Sequence, residues 1–222
     1  MQGAAGGEEG SGSGRVVVSW EDAPGMIASL VGPRLETPVV IGVGGPVGAG
    51  KSALAARLGG CVLATDDYLP DYDAVEYERR DLPESADFER LARDLASLRA
   101  GRATRVPVWS FRTHRREGER EVAPPAQAVG CGAGVIIVEG IHALHAGVRG
   151  ALDLAVFVAA GPGVRWERWA HLERTGARGW GEVIAREYFD RVAEPTFARY
   201  HQEYLACSHV VVLNEAGRPG GP

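Results

Sequence analysis

The chain has 222 residues and a mass of 23.5 kDa, a size that suits one compact domain or at most two. Hydrophobic residues make up 45% and charged residues 24%, which excludes a chain that is disordered throughout or built from collagen-like repeats. A net charge of -5 and a pI near 5.7 argue against nucleic acid or an anionic membrane as the main partner.

Both ends of the chain are rich in small residues. Residues 1–14 are mostly Gly, Ala, Ser and Glu, and residues 215–222 are mostly Gly and Pro, so we expect disordered tails there. Residues 15–37 carry apolar side chains interrupted by Pro and Gly, and we interpret them as a leader of uncertain structure. Residues 38–214 form the predicted domain.

The first strong signal along the chain is a strand, a loop and a helix. Val39–Val43 is a β-branched run, a glycine-rich turn follows it, and Ala53–Leu58 has helical spacing that stops at Gly59 and Gly60. Cys61–Ala64 predicts a second short strand. Asp87–Leu98 predicts an amphipathic helix, because its apolar residues recur at steps of three and four.

The second half of the chain continues this alternation. Further strands are predicted at Val135–Val138, Leu154–Val158 and Val210–Leu213. Arg165–Arg178 and Glu182–Leu205 have helical composition, and Pro195 is expected to start or kink a helix. Short buried strands that alternate with helices predict an α/β fold with a doubly wound parallel sheet and helices on both faces.

The turn after the first strand matches the phosphate-binding loop, or P-loop, whose pattern is Gly, four residues, Gly, Lys and then Ser or Thr. Its residues are Gly45, Pro46, Val47, Gly48, Ala49, Gly50, Lys51 and Ser52. The glycines let successive N–H groups face a phosphate, the helix start adds partial positive charge, and Lys51 neutralises the β- and γ-phosphates. Ser52 would bind Mg²⁺ through its hydroxyl. The pattern therefore predicts binding of a nucleoside triphosphate with Mg²⁺; we expect ATP, while GTP stays open as the alternative donor.

Lys51 is the only lysine, so arginine supplies 23 of the 24 basic residues. A planar guanidinium cannot replace the compact ammonium that this loop wraps around, so the lone lysine supports a functional P-loop. Glu139 ends a later apolar strand and is placed to reach the metal or its water shell, although an exposed acid at a strand end is the alternative. A conventional GTPase is not expected, since no Asn-Lys-x-Asp segment exists.

Several segments resemble the uridine kinase and phosphoribulokinase family of P-loop kinases in order and spacing. They are Thr65–Tyr68, Asp81-Leu82-Pro83, Pro107–His114 and Val138–Leu144. The resemblance runs from about Pro38 to Asn214. It implies transfer of the γ-phosphoryl group of ATP to a hydroxyl of a small molecule, with the 5'-hydroxyl of uridine or cytidine as the first expectation. It also admits a homo-oligomer.

The resemblance assigns roles to individual residues in an acceptor site. Asp66 would orient or deprotonate the acceptor hydroxyl, Asp67 would serve the metal shell, and Asp81 would accept hydrogen bonds from vicinal hydroxyls. A solvated acidic loop is the alternative for these carboxylates, as it is for Asp71 and Asp73. The wall of the site would consist of Tyr68, Trp109, Phe111 and His114, although aromatic residues at alternate positions also suit an ordinary strand face.

A group of arginines resembles the lid that closes over phosphates in this family. Its members are Arg165, Arg168, Arg174 and Arg178. Arginine can clamp phosphate oxygens and supply charge to a transition state, so we assign Arg174 and Arg178 to catalysis and Arg168 to substrate binding. A solvated basic helix face is the alternative. Trp180 stands where a further arginine is common.

Two departures from the family leave the acceptor open. Trp109-Ser110 stands where uridine kinases commonly have Tyr-Asp, and Leu82 stands where they have histidine. The acceptor could instead be pantothenate, a sugar phosphate or a nicotinamide nucleoside, or the chain could be a nucleotide-binding regulatory module without turnover. Asp66 beside Lys51 argues against the last of these, because binding alone does not need an acceptor-activating carboxylate.

The cysteines and the chain start bear on the compartment. Cys61, Cys131 and Cys207 are odd in number and widely separated, so neither a disulfide framework nor a zinc site is expected. No apolar run approaches the roughly 20 residues of a membrane span, and the N-terminus lacks the pattern of a signal peptide. We therefore expect a cytoplasmic protein.

Overall fold

The computed structural model describes residues 14–32, 37–125 and 134–215. The predicted tails therefore lie outside the described residues, apart from Gly14 and Glu215, and so does Cys131. Across the described ranges, no helix combines the length and the apolar character that crossing a bilayer requires.

Parallel strands form the main sheet. The described strands are β1 (Val16–Ser19), β2 (Val39–Gly44), β3 (Cys61–Ala64), β4 (Thr104–Ser110), β5 (Arg115–Val122), β6 (Val135–Glu139), β7 (Leu154–Ala159) and β8 (Val210–Leu213). Six of them pair in the order β1-β8-β7-β2-β6-β3, all parallel, while β4 and β5 form an antiparallel hairpin. The strands predicted from apolar runs are confirmed: β8, β7, β2 and β6 occupy the centre of the sheet, and β3 forms one edge.

Helices cover both faces of this sheet, which confirms the doubly wound α/β architecture. The described α-helices are α1 (Ala23–Val31), α2 (Lys51–Leu58), α3 (Phe88–Arg99), α4 (Ala146–Arg149), α5 (Pro162–Arg174), α6 (Gly181–Tyr188) and α7 (Glu194–Cys207). Ile27 of α1 and Leu54 of α2 pack against one face, on the side of Ile41. Leu91 and Leu95 of α3 pack against the other face.

The register of the sheet brings three strand ends together. Glu139 of β6 lies opposite Val43 of β2 on one side and opposite Ala64 of β3 on the other. The P-loop leaves β2 at this edge, and the segment that begins with Thr65 leaves β3 there. Because carboxyl ends of parallel strands share one edge, the predicted phosphate and acceptor residues meet in space.

Residues before the predicted domain contribute to its sheet and core. Strand β1 adds a parallel edge strand, with Val16 opposite Val210 of β8. Ala23 and Ile27 of α1 are buried in the core. The stretch interpreted as a leader thus holds an ordered strand and helix, and it packs beside the P-loop helix.

The segment between α5 and α7 forms an aromatic-rich lid. Tyr188 and Phe189 are buried there in one cluster with Trp169 of α5. The helix predicted over Glu182–Leu205 is divided by a π-helical turn at Phe189–Ala193. Pro195 lies in the first turn of α7, directly after the π-helical turn, in agreement with the expectation that it starts or kinks a helix.

Candidate active site

The P-loop backbone adopts a conformation that requires glycine at several positions. Gly45, Gly48 and Gly50 have φ values of 144°, 74° and 103°, a region that L-residues rarely adopt. A Cβ at Gly45 would overlap the carbonyl oxygen of Val158, and one at Gly48 would overlap that of Arg165. The glycine pattern is therefore set by both backbone angle and close packing.

Lys51 begins helix α2 and folds back over the loop that precedes it. Its Nζ donates a hydrogen bond to the carbonyl oxygen of Pro46 at 2.9 Å, and the residue is buried. Burial lowers the pKa of Lys51, while the nearby carboxylates of Glu139 and Asp66 act in the opposite direction. The ammonium group is thus held over the P-loop, near the carboxylates of Glu139 and Asp66.

Arg168 and Asn214 hold the outer side of the P-loop. Nη1 of Arg168 donates to the carbonyl oxygens of Gly48 and Ala49 at 3.1 and 3.2 Å. Nη2 of Arg168 donates to the backbone and side-chain oxygens of Asn214, whose Nδ2 donates to the Ala49 carbonyl at 2.8 Å. Because these carbonyl oxygens point toward Arg168 and Asn214, the N–H groups of the loop can point toward a ligand. The structure places Arg168 in this support, along the same cleft.

Arg165 lies behind the loop. It forms an ion pair with Glu194, in which Nη2 donates to Oε2 at 2.6 Å, and its Nε donates to the Ala160 carbonyl. Nη1 reaches the carbonyl oxygen of Val47 at 3.3 Å. These contacts connect the lid to the P-loop from the back.

Ser52 and Glu139 meet beside the phosphate-binding lysine. The Ser52 hydroxyl donates to Oε1 of Glu139 at 3.1 Å. Burial raises the pKa of Glu139 to about 7, and the charge of Asp66 adds to this effect, whereas Lys51 opposes it. A hydroxyl and a carboxylate at this distance fit Mg²⁺, which prefers oxygen ligands and completes its shell with waters and phosphate oxygens.

Two adjoining cavities lie in front of these residues. The first, the P-loop cleft, has a volume of about 390 Å³ and is lined by P-loop residues with Ser52, Glu139 and Arg168. The second, the aromatic pocket, has a volume of about 40 Å³ and is lined in part by Asp81, Phe111, His114, Tyr188 and Trp180.

Asp66 lies where the two cavities meet. It belongs to the 3₁₀ turn Thr65–Tyr68 that follows β3, and it lines both cavities. Burial raises the pKa of Asp66, while Lys51 and Arg178 counteract that rise. An acid in this position faces the phosphate-binding lysine on one side and the aromatic pocket on the other.

Arg178 is the predicted lid arginine that reaches both cavities. Its guanidinium lies over the ring of Phe111 at 4.3 Å and over that of Trp169 at 4.9 Å. Burial lowers its pKa, and Asp66 is the nearby acid that most strongly opposes this. Stacking on two rings fixes the plane of the guanidinium beside the P-loop cleft.

Asp81 forms the polar floor of the aromatic pocket. Its Oδ1 accepts hydrogen bonds from the hydroxyls of Tyr188 at 2.8 Å and Tyr72 at 3.3 Å. Burial raises the pKa of Asp81 to about 6, against the effect of the Tyr188 hydrogen bond. Nε2 of His142 lies 2.6 Å from the Asp81 carbonyl oxygen and must donate to it, so Nδ1 accepts from the Tyr204 hydroxyl.

His114 forms one wall of the pocket in an uncommon backbone conformation. Its φ is 55°, and among the described residues other than glycine it is the one with a positive value. The imidazole stacks on Trp180, with ring centres 4.2 Å apart, and on Tyr72, with centres 5.6 Å apart. A strained backbone that presents a ring to a pocket is typical of functional sites.

Two of the predicted wall residues are placed in the interior, outside the lining of both cavities. Tyr68 is buried and donates its hydroxyl to Asp94 of α3 at 2.9 Å. Trp109 is also buried, and its Nε1 has no hydrogen-bond partner among the described residues. The backbone N–H of Trp109 donates to Asp67 at 3.1 Å, and Arg120 pairs with the same carboxylate. Asp67 therefore anchors the β4–β5 hairpin, while it also borders the P-loop cleft.

Arg174 lies on the surface, where it pairs with Glu182 at 2.9 Å, and it lines neither cavity. Asp71 and Asp73 interact with the β4–β5 hairpin. Asp71 accepts a hydrogen bond from the backbone N–H of Arg116, and Asp73 forms an ion pair with the side chain of Arg115. Neither aspartate lines the two cavities, which agrees with the alternative of a solvated acidic loop.

Comparison with known proteins decides the family. The model of the phosphoribulokinase / uridine kinase family matches residues 70–213. The chain belongs to this family. The family model matches only residues that follow the P-loop and Asp66. The roles of the P-loop residues and Asp66 are therefore supported by their sequence pattern and geometry.

The relatives of the chain include several named kinases. It is 30% identical to uridine-cytidine kinase C of Dictyostelium discoideum over 128 residues, which cover 55% of this chain and 27% of that protein. It is 29% identical to uridine kinase of Lactobacillus helveticus over 155 residues, which cover 64% and 69%. A further relative, inorganic pyrophosphatase TTM2 of Arabidopsis thaliana, is 31% identical over 60% of this chain and 19% of its own length. The chain thus spans well under half of several curated relatives.

Solved structures share the fold. A structure described as a possible uridine kinase from Bacillus stearothermophilus matches with a TM-score of 0.60 and 16% identity, covering 86% of this chain and 98% of that one. The YGR205w protein matches with a TM-score of 0.54 and 14% identity, covering 84% and 85%. These likenesses support the P-loop kinase fold.

Sequence reasoning missed several residues that shape this family member's pocket. Tyr72, Tyr188 and Trp169 read as ordinary apolar residues of a loop or helix face, and Asn214 follows the last strand without a motif. Glu173 had a weak signal, because an acid among apolar lid residues must find partners once it is buried. Its contacts are described below.

Proposed function

We propose that this chain transfers the γ-phosphoryl group of Mg²⁺-bound ATP to a hydroxyl of a small molecule. The observation that carries the proposal is the position of Asp66, which lines the P-loop cleft and the aromatic pocket at once. Phosphoryl transfer needs the acceptor hydroxyl to lie in line with the donor phosphate, with such a carboxylate within hydrogen-bond reach of that hydroxyl. The acceptor that the family and its named relatives support first is the 5'-hydroxyl of uridine or cytidine.

The donor side of the reaction falls to the P-loop. Its backbone N–H groups and Lys51 would bind the β- and γ-phosphates in the cleft of about 390 Å³. Ser52 and Glu139 would hold the Mg²⁺ ion, which supplies charge neutralisation to the phosphates when bound. Arg168 and Asn214 keep the loop in its binding conformation.

The acceptor side falls to Asp66 and Arg178. Asp66 orients the acceptor hydroxyl and takes its proton as the hydroxyl oxygen bonds to the γ-phosphorus, while the bond from that phosphorus to the β–γ bridging oxygen breaks and ADP leaves. A buried carboxylate with a raised pKa is a better base for this step than an exposed one. The Arg178 guanidinium lies next to Asp66 and stabilises charge on the transferring group.

Asp81 suits a sugar-like acceptor. An ionised carboxylate offers about four lone-pair sites, so two tyrosine hydroxyls on Oδ1 leave capacity for vicinal hydroxyls of a ligand. His114 would provide an aromatic face for the rest of the molecule.

A second candidate is a compact acceptor without a planar ring. The aromatic pocket measures about 40 Å³, whereas pockets for drug-sized ligands measure about 300–1,000 Å³. This volume favours a small hydroxyl compound over a nucleoside in the conformation described.

The test is ADP release from Mg²⁺-ATP with single acceptors. The panel contains uridine, cytidine, pantothenate, a sugar phosphate, nicotinamide riboside and D-ribose, with Lys51→Ala as the control. We expect at least one acceptor to stimulate ADP release in the wild type and none to do so in the variant. Binding of ATP without stimulation by any acceptor would contradict the kinase and favour the regulatory module.

A further inference from the structure

The indole ring of Trp180 forms part of the wall of the aromatic pocket. Its indole is stacked on His114 with centres 4.2 Å apart and planes 11° apart. On another side the Tyr188 ring lies 4.5 Å away at a tilt of 48°. Rings at these distances are in direct contact, so the indole fills the space between the histidine and the tyrosine.

The backbone that carries Trp180 is held in place from the lid. Oε2 of the buried Glu173 accepts hydrogen bonds from the N–H groups of Trp180 at 3.1 Å and Gly181 at 2.9 Å. Its Oε1 accepts from Nε1 of Trp169 at 2.9 Å. Both oxygens of the carboxylate thus take part in fixing the segment, so the position of the indole is specified by these contacts.

The same segment is docked on the hairpin that carries His114. The N–H of Gly179 donates to the carbonyl oxygen of Phe111 at 3.2 Å, and a Cβ at Gly179 would overlap the carbonyl oxygen of Arg112. Lid and hairpin therefore meet backbone to backbone beside the pocket. Outward movement of the whole segment would break these contacts, which leaves rotation of the indole as the smaller change.

The rings around the indole define a slot for a planar group. The plane of Tyr72 lies 18° from that of His114 and 29° from that of Trp180. An acceptor that carries a nucleobase could use this slot only where the indole now lies, since the remaining cavity measures about 40 Å³. An acceptor without such a ring needs only the space near Asp66 and Asp81.

We infer that Trp180 is the residue that sets acceptor selectivity, because its indole takes the place of a planar acceptor ring and so favours compact hydroxyl compounds without a planar ring over nucleosides. The inference rests on the proposed kinase function and chooses between its two acceptor classes. A nucleoside must displace the indole and lose its stacking, whereas a free sugar does not. Because stacking of an aromatic pair adds stability beyond the buried area, we expect discrimination of about tenfold.

The matched acceptors are uridine and D-ribose, which share the sugar and differ in the base. We expect Trp180→Ala to raise kcat/KM for uridine about tenfold and to change kcat/KM for ribose by less than about threefold. Trp166→Ala is the control, because Trp166 is another partly buried lid indole that packs on Phe189 outside the pocket. It should leave the ratio of the two values unchanged.

Trp180→Leu is a second variant, which keeps an apolar side chain against Tyr188 if the alanine variant does not fold. An unchanged uridine-to-ribose ratio in every folded Trp180 variant would overturn the inference. If neither the wild type nor any variant phosphorylates uridine or D-ribose, the proposed function is contradicted for these two acceptors. In that case calorimetric titration with uridine still decides, because tighter binding by the Trp180 variants supports the inference and equal binding overturns it.

Discussion

Ser52 and Glu139, 87 residues apart in the chain, are joined by a hydrogen bond of 3.1 Å that links the P-loop helix to the end of strand β6. The parallel register makes this contact, since β6 lies directly beside β2. The pair lies next to Lys51, so its two oxygen ligands face the place where the phosphates of ATP would bind. This relationship gives the metal-binding prediction a definite geometry.

Glu139→Gln should raise the Mg²⁺ concentration required for half-maximal activity by about tenfold. The amide keeps the shape and can still accept from Ser52, but it lacks the negative charge that attracts the ion. Titration of ADP release with Mg²⁺ at saturating ATP measures the effect. Glu203→Gln, which alters an exposed ion pair with Arg149, is the matched control. If the wild type and Glu139→Gln require the same Mg²⁺ concentration, Glu139 does not contribute to the Mg²⁺ site.

Asp66→Asn should lower kcat by about 10²–10⁴-fold while it leaves the affinity for ATP nearly unchanged. The substitution removes the base at the junction of the two cavities and keeps the volume of the side chain. Single-turnover kinetics and equilibrium binding of ATP separate the two quantities. Asp73→Asn is the control, because Asp73 forms an exposed ion pair with Arg115 and lines neither cavity. Equal losses of turnover and nucleotide affinity in Asp66→Asn would contradict the role of Asp66 as the base that acts on the acceptor hydroxyl.

Arg178→Ala should reduce kcat by about 10²-fold, because it removes the cation fixed beside Asp66. Arg174→Ala should stay within about threefold of the wild type, since Arg174 forms a surface ion pair with Glu182 and such pairs contribute little. Both variants are compared in the same steady-state assay. Equal effects of the two substitutions would contradict the placement of the lid.

The raised pKa of Asp81 predicts that the stability of the fold depends on pH. Its pKa rises from 3.8 in the reference state to about 6 in the fold, so the folded chain binds more protons between these values. The folded state gains stability from this group at low pH and loses it as the pH rises through about 6. The free energy of unfolding of the wild type should therefore fall by on the order of 2 kcal/mol relative to Asp81→Asn between about pH 4 and pH 7. Urea denaturation of both proteins measures this difference, and parallel pH profiles would refute it.

The sequence predicted the parts of the fold that depend on local patterns. The P-loop, β3 and α3 follow from short runs of β-branched residues, glycine and spaced leucines, and the structure confirms them. Strand β1 was not predicted, because its partner β8 lies nearly the whole chain away. Strand β5 was also missed, since its residues are almost all charged and exposed and give no apolar alternation.

The candidate site was predictable where chemistry fixes the residue type, as for Lys51, Ser52 and Asp66. It was not predictable where side-chain direction decides the role. Tyr68 lies in the same motif as Asp66, yet its ring points into the core toward Asp94. Arg174 and Arg178 are equivalent in sequence, but α5 ends at Arg174 and the following loop returns Arg178 to the pocket.

The most direct measurement is identification of the product by mass spectrometry after incubation with Mg²⁺-ATP and each acceptor of the panel. The account predicts an acceptor that gains one phosphoryl group, in amounts equal to the ADP formed, and no such product with Lys51→Ala. Formation of ADP and inorganic phosphate without a phosphorylated acceptor, or equal product from the Lys51 variant, would contradict it.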